Sequence, residues 1–293
     1  MSETIAIIAT GDMGHAVGRV LGERGHRVVT DLSGRSERSQ RLADAGRIVD
    51  LGSFDAVVTE ADVILSIAPP VAATGIATDA IAALQRCGRR IPFADCNAIS
   101  PMTAMAMADK FETAGIPFVD AGIIGRAPGG EAKTQFYASG AHAVHLMTLD
   151  GKGMAVTILS DRVGDASALK MCFASITKGT NALYAAALIA AARYGLGDAL
   201  AQEVAGRAPN AWQAMNAAVP WLAADAERWT GEMEEIAATY DAVGMPGEFH
   251  QGAAALFRQL ATTPLGDETR ETLDRTRTLE QTIAILAKAA GTH

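Results

Sequence analysis

The chain has 293 residues, of which 49% are apolar and 20% are charged, and its formal net charge is −8. This composition is typical of a globular protein with room for two domains and a large core. The negative charge argues against a general nucleic-acid-binding protein, which needs a basic face, and no apolar run is long enough to span a membrane.

The first residues and the cysteines predict a location in the cytoplasm. The N-terminal sequence MSETIAII has neither the basic start nor the cleavage site of a secretory signal. Cys87, Cys96 and Cys172 are scattered, which fits reduced thiols and indicates neither a disulfide framework nor a zinc site. We expect no metal at His142 and His145 either, because these two histidines lie in a strand setting without partner carboxylates.

The first half of the chain alternates between strand and helix patterns. Continuous apolar runs of strand length occur at 4–9, 26–32, 61–70, 91–97 and 115–125. Stretches with helical spacing lie between them, for example at 14–25 and 101–114. Strands that are apolar throughout and separated by helices predict a parallel sheet covered on both faces. Two further strands, at 133–140 and 154–161, are expected at the edge of this sheet.

After about residue 165 the strand pattern ends, and nearly every segment has helical spacing. A helix capped by Asp165 or Ser167 is predicted to run to Arg193, to measure about 40 Å and to join two domains. Shorter helices follow, with breaks near Pro209, Pro220, Pro246 and Pro264. The predicted fold is therefore a doubly wound, mostly parallel α/β domain over residues 1–163, followed by an all-helical domain over 164–293.

Residues 9–14, ATGDMG, match the dinucleotide-binding fingerprint G-x-G-x-x-G except that Ala9 replaces the first glycine. The segment follows a strand and opens a helix, as the fingerprint requires. Gly11 would let the backbone approach a pyrophosphate, and Gly14 would let helix and strand pack closely. Ala9 is tolerable if its φ is negative, and an ordinary strand–helix turn is the alternative. The predicted phosphate-binding residues are Gly11, Asp12, Met13 and Gly14.

The end of the second strand predicts which dinucleotide binds. An acidic residue there binds the ribose 2′-hydroxyl of NAD, while an arginine accommodates the 2′-phosphate of NADP. Asp31 comes slightly early for the acidic role. A compact cluster of basic and hydroxyl side chains follows it: Arg35, Ser36, Arg38 and Ser39. We therefore expect NADP, with NAD as the alternative, whereas a solvated surface turn would favour neither.

Several segments match those of one enzyme family. They are the opening with its Met-Gly pair, ADVILSIAPP (61–70), DCNAISP (95–101), VDAGIIG (119–125) and GDASALKMC (164–172). In these segments the chain resembles the β-hydroxyacid dehydrogenases, relatives of 6-phosphogluconate dehydrogenase, over nearly its whole length. The sequence RWTGEMEEIAATYDAVGMPGEFHQGAA (228–254) is similar to a bacterial branch whose C-terminal helical domain has no assigned function.

The resemblance implies roles for particular residues. It places the family's catalytic lysine at Lys170 and the cofactor's nicotinamide end beside the segments after two strands, at Ile67, Ala68, Pro69 and Asn97. The family's carboxylate-binding serine and two glycines correspond to Ile124, Gly125 and Arg126. The family's asparagine one turn after the lysine corresponds to Ala174, and a later Lys-Asp pair to Gly231 and Glu232. These departures imply a substrate other than a simple small hydroxyacid held in the usual way.

Lys170 can act as general acid and base if apolar neighbours draw its pKa toward neutrality. Thr177 and Asn181 lie seven and eleven residues further on, so regular helical spacing would place them on the face of Lys170 as substrate contacts. Lys178 is a weaker candidate because helical spacing turns it away. A surface lysine with a buried stem is the alternative for Lys170.

Two further candidates for substrate contacts lie in the helical half. Glu232, which shares a helix side with Glu235, would suit a cationic or hydroxyl-rich substrate, although a charge run is more often a solvated face. His250 is a candidate acid or substrate ligand, and an ordinary histidine at a helix start is equally compatible.

The sequence thus predicts an NADP-dependent oxidoreductase that acts on a hydroxyl or carbonyl group of a small molecule. Imine reduction on the same scaffold is an alternative, and so is a dinucleotide-binding protein without catalysis. The expected partners are a small-molecule substrate and, as in the family, a second copy bound through the helical domain, with neither nucleic acid nor membrane.

Overall fold

The computed structural model describes residues 3–129 and 134–289. The chain forms two compact units, Met1–Met171 and Cys172–His293. The division lies within a helix, whereas the sequence predicts a boundary just before that helix, between residues 163 and 164.

The first unit is built on an eight-stranded sheet. Its strands are β1 (Thr4–Ile8), β2 (Arg27–Thr30), β3 (Val49–Asp50), β4 (Val63–Ser66), β5 (Phe93–Asp95), β6 (Phe118–Ile124), β7 (Thr134–Ser139) and β8 (Met154–Ser160). Their order is β3-β2-β1-β4-β5-β6-β7-β8. Every neighbouring pair is parallel except β6 and β7. The mostly parallel sheet is confirmed, although residue 133 of the predicted edge strand lies outside the described residues.

Helices cover both faces of this sheet, as the continuous apolar strands require. They are α1 (Asp12–Glu23), α2 (Glu37–Ala45), α3 (Phe54–Glu60), α4 (Pro70–Arg86) and α5 (Pro101–Thr113). Successive residues of β1 point to opposite faces. Ile5 and Ile7 therefore join one buried cluster, with Val17 of α1. Ala6 and Ile8 join the other, with residues of α3 and α4.

The register aligns the carboxyl ends of β1, β4 and β5 with the third residue of β6. Ile8 pairs with Ser66, Ser66 with Asp95, and Asp95 with Asp120, across β1, β4, β5 and β6. The loops after β1, β4 and β5 therefore leave the sheet along one edge. The strand order reverses between β1 and β4, and open α/β sheets bind ligands at such a switch point.

Helices make up nearly all of the rest of the chain. α6 (Asp165–Ala174) continues through a π-helical turn, Ser175–Gly179, into α7 (Thr180–Arg193). The helices that follow are α8 (Gly197–Arg207), α9 (Pro209–Ala218), α10 (Ala226–Asp241), α11 (Glu248–Ala261) and α12 (Leu279–Ala289). The predicted breaks near four prolines are confirmed, since each proline begins a helix or lies between helices. No helix in 3–129 or 134–289 has both the length and the apolar character needed to cross a bilayer.

Candidate active site

Gly11 marks an open space in front of helix α1. It is the N-cap of α1 with a φ of −73°, which any residue adopts. A Cβ built on Gly11 would meet no atom within 4 Å. Neither the backbone nor the packing of the protein therefore requires glycine here. The space that a side chain would fill lies where a phosphate would approach the amino end of the helix, so this position fits a dinucleotide.

Gly14 has the packing role that the fingerprint gives its third glycine. A Cβ on Gly14 would overlap the carbonyl oxygen of Ala9 and touch the side chain of Ile7. Helix α1 therefore begins against the backbone of β1, and this approach is possible only without a side chain at residue 14.

The backbone φ of Ala9 differs from the expected value. Its φ is +73°, in the left-handed region, whereas alanine was expected to fit there with a negative φ. The backbone thus keeps the conformation that glycine adopts readily at this turn. An L-residue in that region costs about 1–2 kcal/mol, so Ala9 is strained.

The first turn of α2 is bonded to the loop from Ala9 to Gly14, which is called the phosphate loop below because it resembles the dinucleotide-binding fingerprint. The Asp12 carboxylate, in the first turn of α1, accepts a hydrogen bond from the Arg38 guanidinium at 2.6 Å. The Thr10 hydroxyl donates to the carbonyl oxygen of Ser39 at 2.9 Å. Ser36 is the N-cap of α2, and its hydroxyl accepts from the Ser39 N–H. These bonds turn much of the predicted 2′-phosphate cluster toward the phosphate loop and toward α2 itself.

Asp31 and Arg35 line a separate cleft of about 370 Å³ at the ends of β1 and β2. The other lining residues are Ile8, Ser33, Gly34, Phe54, Ile76, Asp79, Ala82 and Arg86. Asp31 accepts a hydrogen bond from the Ser33 N–H at 2.9 Å. Arg86 binds Asp55 through two nitrogens, at 2.5 and 3.1 Å, and this hydrogen bonding holds the pKa of the Asp55 carboxyl below its usual value. Arg35 is therefore the cleft's better candidate to bind an anion.

Asn97 fixes the segment after β4. Its Oδ1 accepts from the Ala68 N–H at 2.5 Å, and its Nδ2 donates to Asp95 and Ser66 at 2.7 and 3.0 Å. Three predicted cofactor contacts lie in that segment: Ile67, Ala68 and Pro69. Asn97 is itself buried, so the structure gives it a positioning role, and its contact with a cofactor stays a prediction.

Asp120 is a buried carboxylate that holds the start of α6 on β6. It accepts from the hydroxyl of Ser139 at 2.8 Å and from the N–H groups of Gly164 and Ser167 at 2.8 and 3.2 Å. The Ser167 hydroxyl donates to its other oxygen at 2.5 Å. The predicted caps Asp165 and Ser167 are thus replaced by a carboxylate from another element, because the N–H groups at the start of the helix face β6.

Lys170 lies one to two turns into α6 and reaches the end of β6. Its Nζ donates a hydrogen bond to the main-chain carbonyl of Ile123. A Cβ on Gly122 would lie 3.0 Å from both the Ala166 carbonyl and the Lys170 Cβ. Gly122 therefore lets α6 approach β6 closely enough for Lys170 to reach the Ile123 carbonyl.

The three residues that correspond to the family's carboxylate-binding residues come directly after Ile123. Ile124 ends β6 and is half-buried, and Gly125 has a φ of +113°. The side chain of Arg126 is exposed, and its carbonyl accepts from the Thr134 hydroxyl at 2.7 Å. Gly125 is needed for its backbone conformation, and the substrate contacts of all three residues stay predictions.

His250 belongs to a buried polar cluster in the second unit. The Ser175 hydroxyl lies 2.9 Å from His250 Nε2 and 2.8 Å from the Tyr240 hydroxyl. Burial lowers the pKa of His250 below its ordinary 6.5. Its Nδ1 is also buried, and no described residue supplies that atom with a hydrogen-bond partner. His250 is therefore held neutral inside the helical unit.

Glu232 is buried rather than part of a solvated face. It pairs with Lys178 and, at 2.9 Å, with Arg228. The Lys178 Nζ also lies 5.7 Å from the ring centre of Trp229. Glu232 thus has two cationic partners within its own unit, and these ion pairs offset the cost of removing its charge from water. A substrate contact for it stays a prediction.

The prediction that Thr177 and Asn181 share a helix face with Lys170 is no longer supported. That argument assumed an uninterrupted α-helix, but Ser175–Gly179 forms a π-helical turn. A π turn widens the helix and shifts the phase of every later residue, so regular spacing no longer relates these side chains to Lys170. Their contact with a substrate stays a prediction. Within the described ranges, no three histidine, cysteine or acidic side chains are grouped as metal ligands would be.

Sequence reasoning gave no role to several residues of these networks. A role for Asp120 could have been predicted, because it lies in the segment 119–125 that resembles the family. Thr10 occupies a variable position of the fingerprint, and its bond depends on where α2 packs. Ser175 and Tyr240 lie 65 residues apart and meet through packing of the helices, which no local pattern signals.

Two family models match the chain. Residues 4–148 match the NAD binding domain of 6-phosphogluconate dehydrogenase. Residues 191–260 match a domain of unknown function, DUF1932. The chain belongs to the 6-phosphogluconate dehydrogenase-like superfamily. Residues 4–148 of the first unit thus match an NAD-binding domain, and the loop from Ala9 to Gly14 lies within this matched part of the chain.

One curated relative and several solved structures are similar to this superfamily member. The uncharacterized 28.5 kDa protein in the 7S RNA 5′ region of Methanothermus fervidus is 27% identical over 175 residues. These are 59% of this chain and 65% of that protein, so the match spans less than two thirds of the relative's length. A conserved protein of unknown function, described as structurally similar to 3-hydroxyacid dehydrogenases, is 28% identical with a TM-score of 0.64 over 88% of this chain and 96% of that chain.

More distant structures share the fold. The 3-hydroxyisobutyrate dehydrogenase of Mycobacterium tuberculosis is 21% identical, with a TM-score of 0.67 over 98% of this chain and 99% of that chain. An imine reductase of Myxococcus stipitatus, in complex with NADP+, is 17% identical, with a TM-score of 0.52 over 92% and 98%. The match to an NAD-binding domain supports a dinucleotide-dependent oxidoreductase.

Proposed function

We propose that the chain transfers a hydride between NADP and a hydroxyl or carbonyl carbon of a small molecule, with Lys170 as general acid and base. One observation carries the proposal. The Nζ of Lys170 is held at the carbonyl of Ile123, three residues along β6 from Asp120, the residue aligned with the ends of β4 and β5. This position supports a proton carrier on the same edge of the sheet as the proposed dinucleotide site.

Residues of the first unit would transfer the proton and position the group that carries it. A bound nicotinamide supplies or accepts the hydride. Lys170 donates a proton to the substrate oxygen in reduction and removes it in oxidation. The ammonium has three N–H donors, and the Ile123 carbonyl accepts one of them, which holds the Nζ near the end of β6. Asp120 is a positioning residue, because it fastens the helix that carries Lys170.

The proposed substrate lacks the small hydroxyacid's usual carboxylate contact. Ile124 stands where the family has a serine and offers no hydrogen bond. A carboxylate left without that donor would lose a charge-assisted hydrogen bond of about 1.5–3 kcal/mol. An aldehyde, ketone or alcohol with an apolar substituent therefore suits this position better.

The preference for NADP is proposed from Arg35. It lines the cleft at the end of β2, and within the described residues it forms no ion pair. Asp31 lines the same cleft and would oppose a 2′-phosphate. Arg35→Gln should weaken NADPH binding roughly tenfold and leave NADH unchanged. Asp31→Asn should strengthen NADPH binding. A wild type that prefers NADH would show that Asp31 sets the specificity.

Imine reduction is a second candidate, favoured by the apolar Ile124 and by the shared fold. An iminium ion already carries the proton that a carbonyl must receive, so its reduction depends less on Lys170. The test is NADPH oxidation, followed at 340 nm, against a panel of aldehydes and ketones with and without a primary amine. Turnover only with the amine would favour imine reduction. No turnover with tight cofactor binding would favour a dinucleotide-binding protein without catalysis.

A further inference from the structure

We propose that Arg38 neutralises Asp12 so that an acidic residue can stand in the phosphate loop, and that this ion pair sets the affinity for NAD and NADP alike. The sequence predicts a different role for Arg38, a contact with the 2′-phosphate of NADP. The inference rests on the proposed function only in that the loop from Ala9 to Gly14 binds a dinucleotide.

First, the negative charge of Asp12 would oppose the negative charge of a bound pyrophosphate. This residue lies in the first turn of α1, directly after the N-cap Gly11. An acidic side chain there stabilises the helix when the protein is empty, because it faces the positive end of the helix dipole. A pyrophosphate approaching the same helix end is also negative. Asp12 and the cofactor would therefore compete for one positive potential.

The second step concerns how firmly Arg38 is held on Asp12. Its guanidinium bonds the carboxylate at 2.6 Å, and the two side chains are 34% and 40% exposed. The next residue, Ser39, accepts the Thr10 hydroxyl through its carbonyl, and Thr10 is buried. The loop and the first turn of α2 are thus joined twice. This attachment keeps the cation beside the acid.

The third step separates Arg38 from Arg35. Arg35 lines the cleft with Asp31, whereas Arg38 bonds a residue of the phosphate loop. Pyrophosphate is common to NAD and NADP, and only the 2′-phosphate distinguishes them. Loss of Arg38 should therefore weaken both cofactors equally, and loss of Arg35 should affect only NADPH.

The experiment measures dissociation constants for NADH and NADPH, by cofactor fluorescence, for five proteins: the wild type, Arg38→Gln, Asp12→Asn, the double variant and Arg38→Lys. Arg41→Gln is the matched control, because Arg41 lies on the same helix and is exposed. Circular dichroism and thermal melts confirm that each variant is folded.

Arg38→Gln should weaken both cofactors about five- to tenfold, the scale of a partly exposed charge interaction. The double variant should return to within about twofold of Asp12→Asn, because the acid that needed neutralising is gone. Arg38→Lys should bind within a few-fold of the wild type. Arg41→Gln should bind as the wild type does.

Three results would overturn the inference. A loss confined to NADPH would mean that Arg38 reads the 2′-phosphate. An equal loss that persists in the Asp12→Asn background would mean that Arg38 binds the cofactor itself. Unchanged affinity in a folded Arg38→Gln would mean that the pair has no part in binding. A wild type that binds neither dinucleotide would instead contradict the proposed function, so the two failures are distinguishable.

Discussion

The carbonyl oxygen of Ala9 occupies the place where a side chain on Gly14 would begin. The same Ala9 has a φ of +73°, so the chain turns from β1 into α1 through a left-handed residue. The turn therefore has the geometry of a dinucleotide fingerprint although its first glycine is missing. Alanine in this place is a strained occupant of a glycine position.

This strain predicts that Ala9→Gly stabilises the protein. Relief of the left-handed conformation contributes about 1–2 kcal/mol, and the extra freedom of glycine in the unfolded chain removes about 0.4–1 kcal/mol. The free energy of unfolding should rise by about 0.5–1 kcal/mol, as measured by urea titration of the first unit's transition.

Ala106→Gly is the matched control. Ala106 is exposed in the middle of α5, where glycine costs about 1 kcal/mol. The two substitutions should therefore shift the transition in opposite directions. A loss of stability in Ala9→Gly similar to that of the control would contradict the strain assigned to Ala9.

Gly11 predicts a variant that binds no cofactor and still folds. In Gly11→Val the Cβ meets no protein atom within 4 Å, and the side chain would fill the space in front of α1, so the affinity for NADH and NADPH should fall at least about tenfold. Stability should change by about 1 kcal/mol or less, since only the N-cap preference is altered.

Gly22→Val supplies the comparison for that experiment. Gly22 lies on the same helix, is exposed and also has open space around it. Its variant should bind both cofactors as the wild type does. Equal binding by wild type and Gly11→Val, measured by cofactor fluorescence, would show that the loop is only a strand–helix turn.

The strands and their order were accessible from the sequence because buried parallel strands are apolar throughout. The run TIAII and the glycines after it locate β1 and the start of α1 within a few residues. The short β3 has only two residues and leaves no periodic signal. Its position depends on pairing with β2, which a local pattern does not contain.

The candidate site could be predicted from the sequence only in part. Lys170 and Gly14 follow from motifs, since each is tied to a fixed spacing. The π turn at Ser175–Gly179 was not predictable, because local residues there have ordinary helical character and packing decides the phase. The partner of Arg38 was equally hidden, since 26 residues separate it from Asp12 and the distance closes only when α2 packs beside the loop.

Burial of His250 predicts a pH dependence of stability. Its folded pKa lies below the ordinary 6.5, so the unfolded chain takes up a proton that the folded protein excludes. The contribution to stability is fully present above about pH 6.5 and falls as pH drops below it. The slope is at most about 1.4 kcal/mol per pH unit, the limit for one proton.

His250→Gln should flatten that part of the curve. Urea unfolding between pH 5 and 8, followed by circular dichroism, measures the slope in each variant. His142→Asn changes an exposed histidine and should leave the slope of the wild type. If His250→Gln shows the wild-type slope, the histidine is not the group that titrates.

Lys170 is proposed to carry the proton in a dinucleotide-dependent hydride transfer. Lys170→Met keeps the length and apolar stem of the side chain, and the phosphate loop lies on other elements of the sheet. Cofactor affinity should therefore stay within a few-fold of the wild type. Lys110→Met is the control, because Lys110 is an exposed lysine on α5 and should have no effect on turnover.

The most direct test is the pH profile of turnover with a carbonyl substrate found in the NADPH oxidation panel, for the wild type and for Lys170→Met. We expect turnover in Lys170→Met to fall about 10²- to 10⁴-fold, the usual share of general acid–base catalysis, and one ionisation to disappear from the profile. Near-normal turnover with an unaltered profile in Lys170→Met would show that Lys170 does not carry the proton.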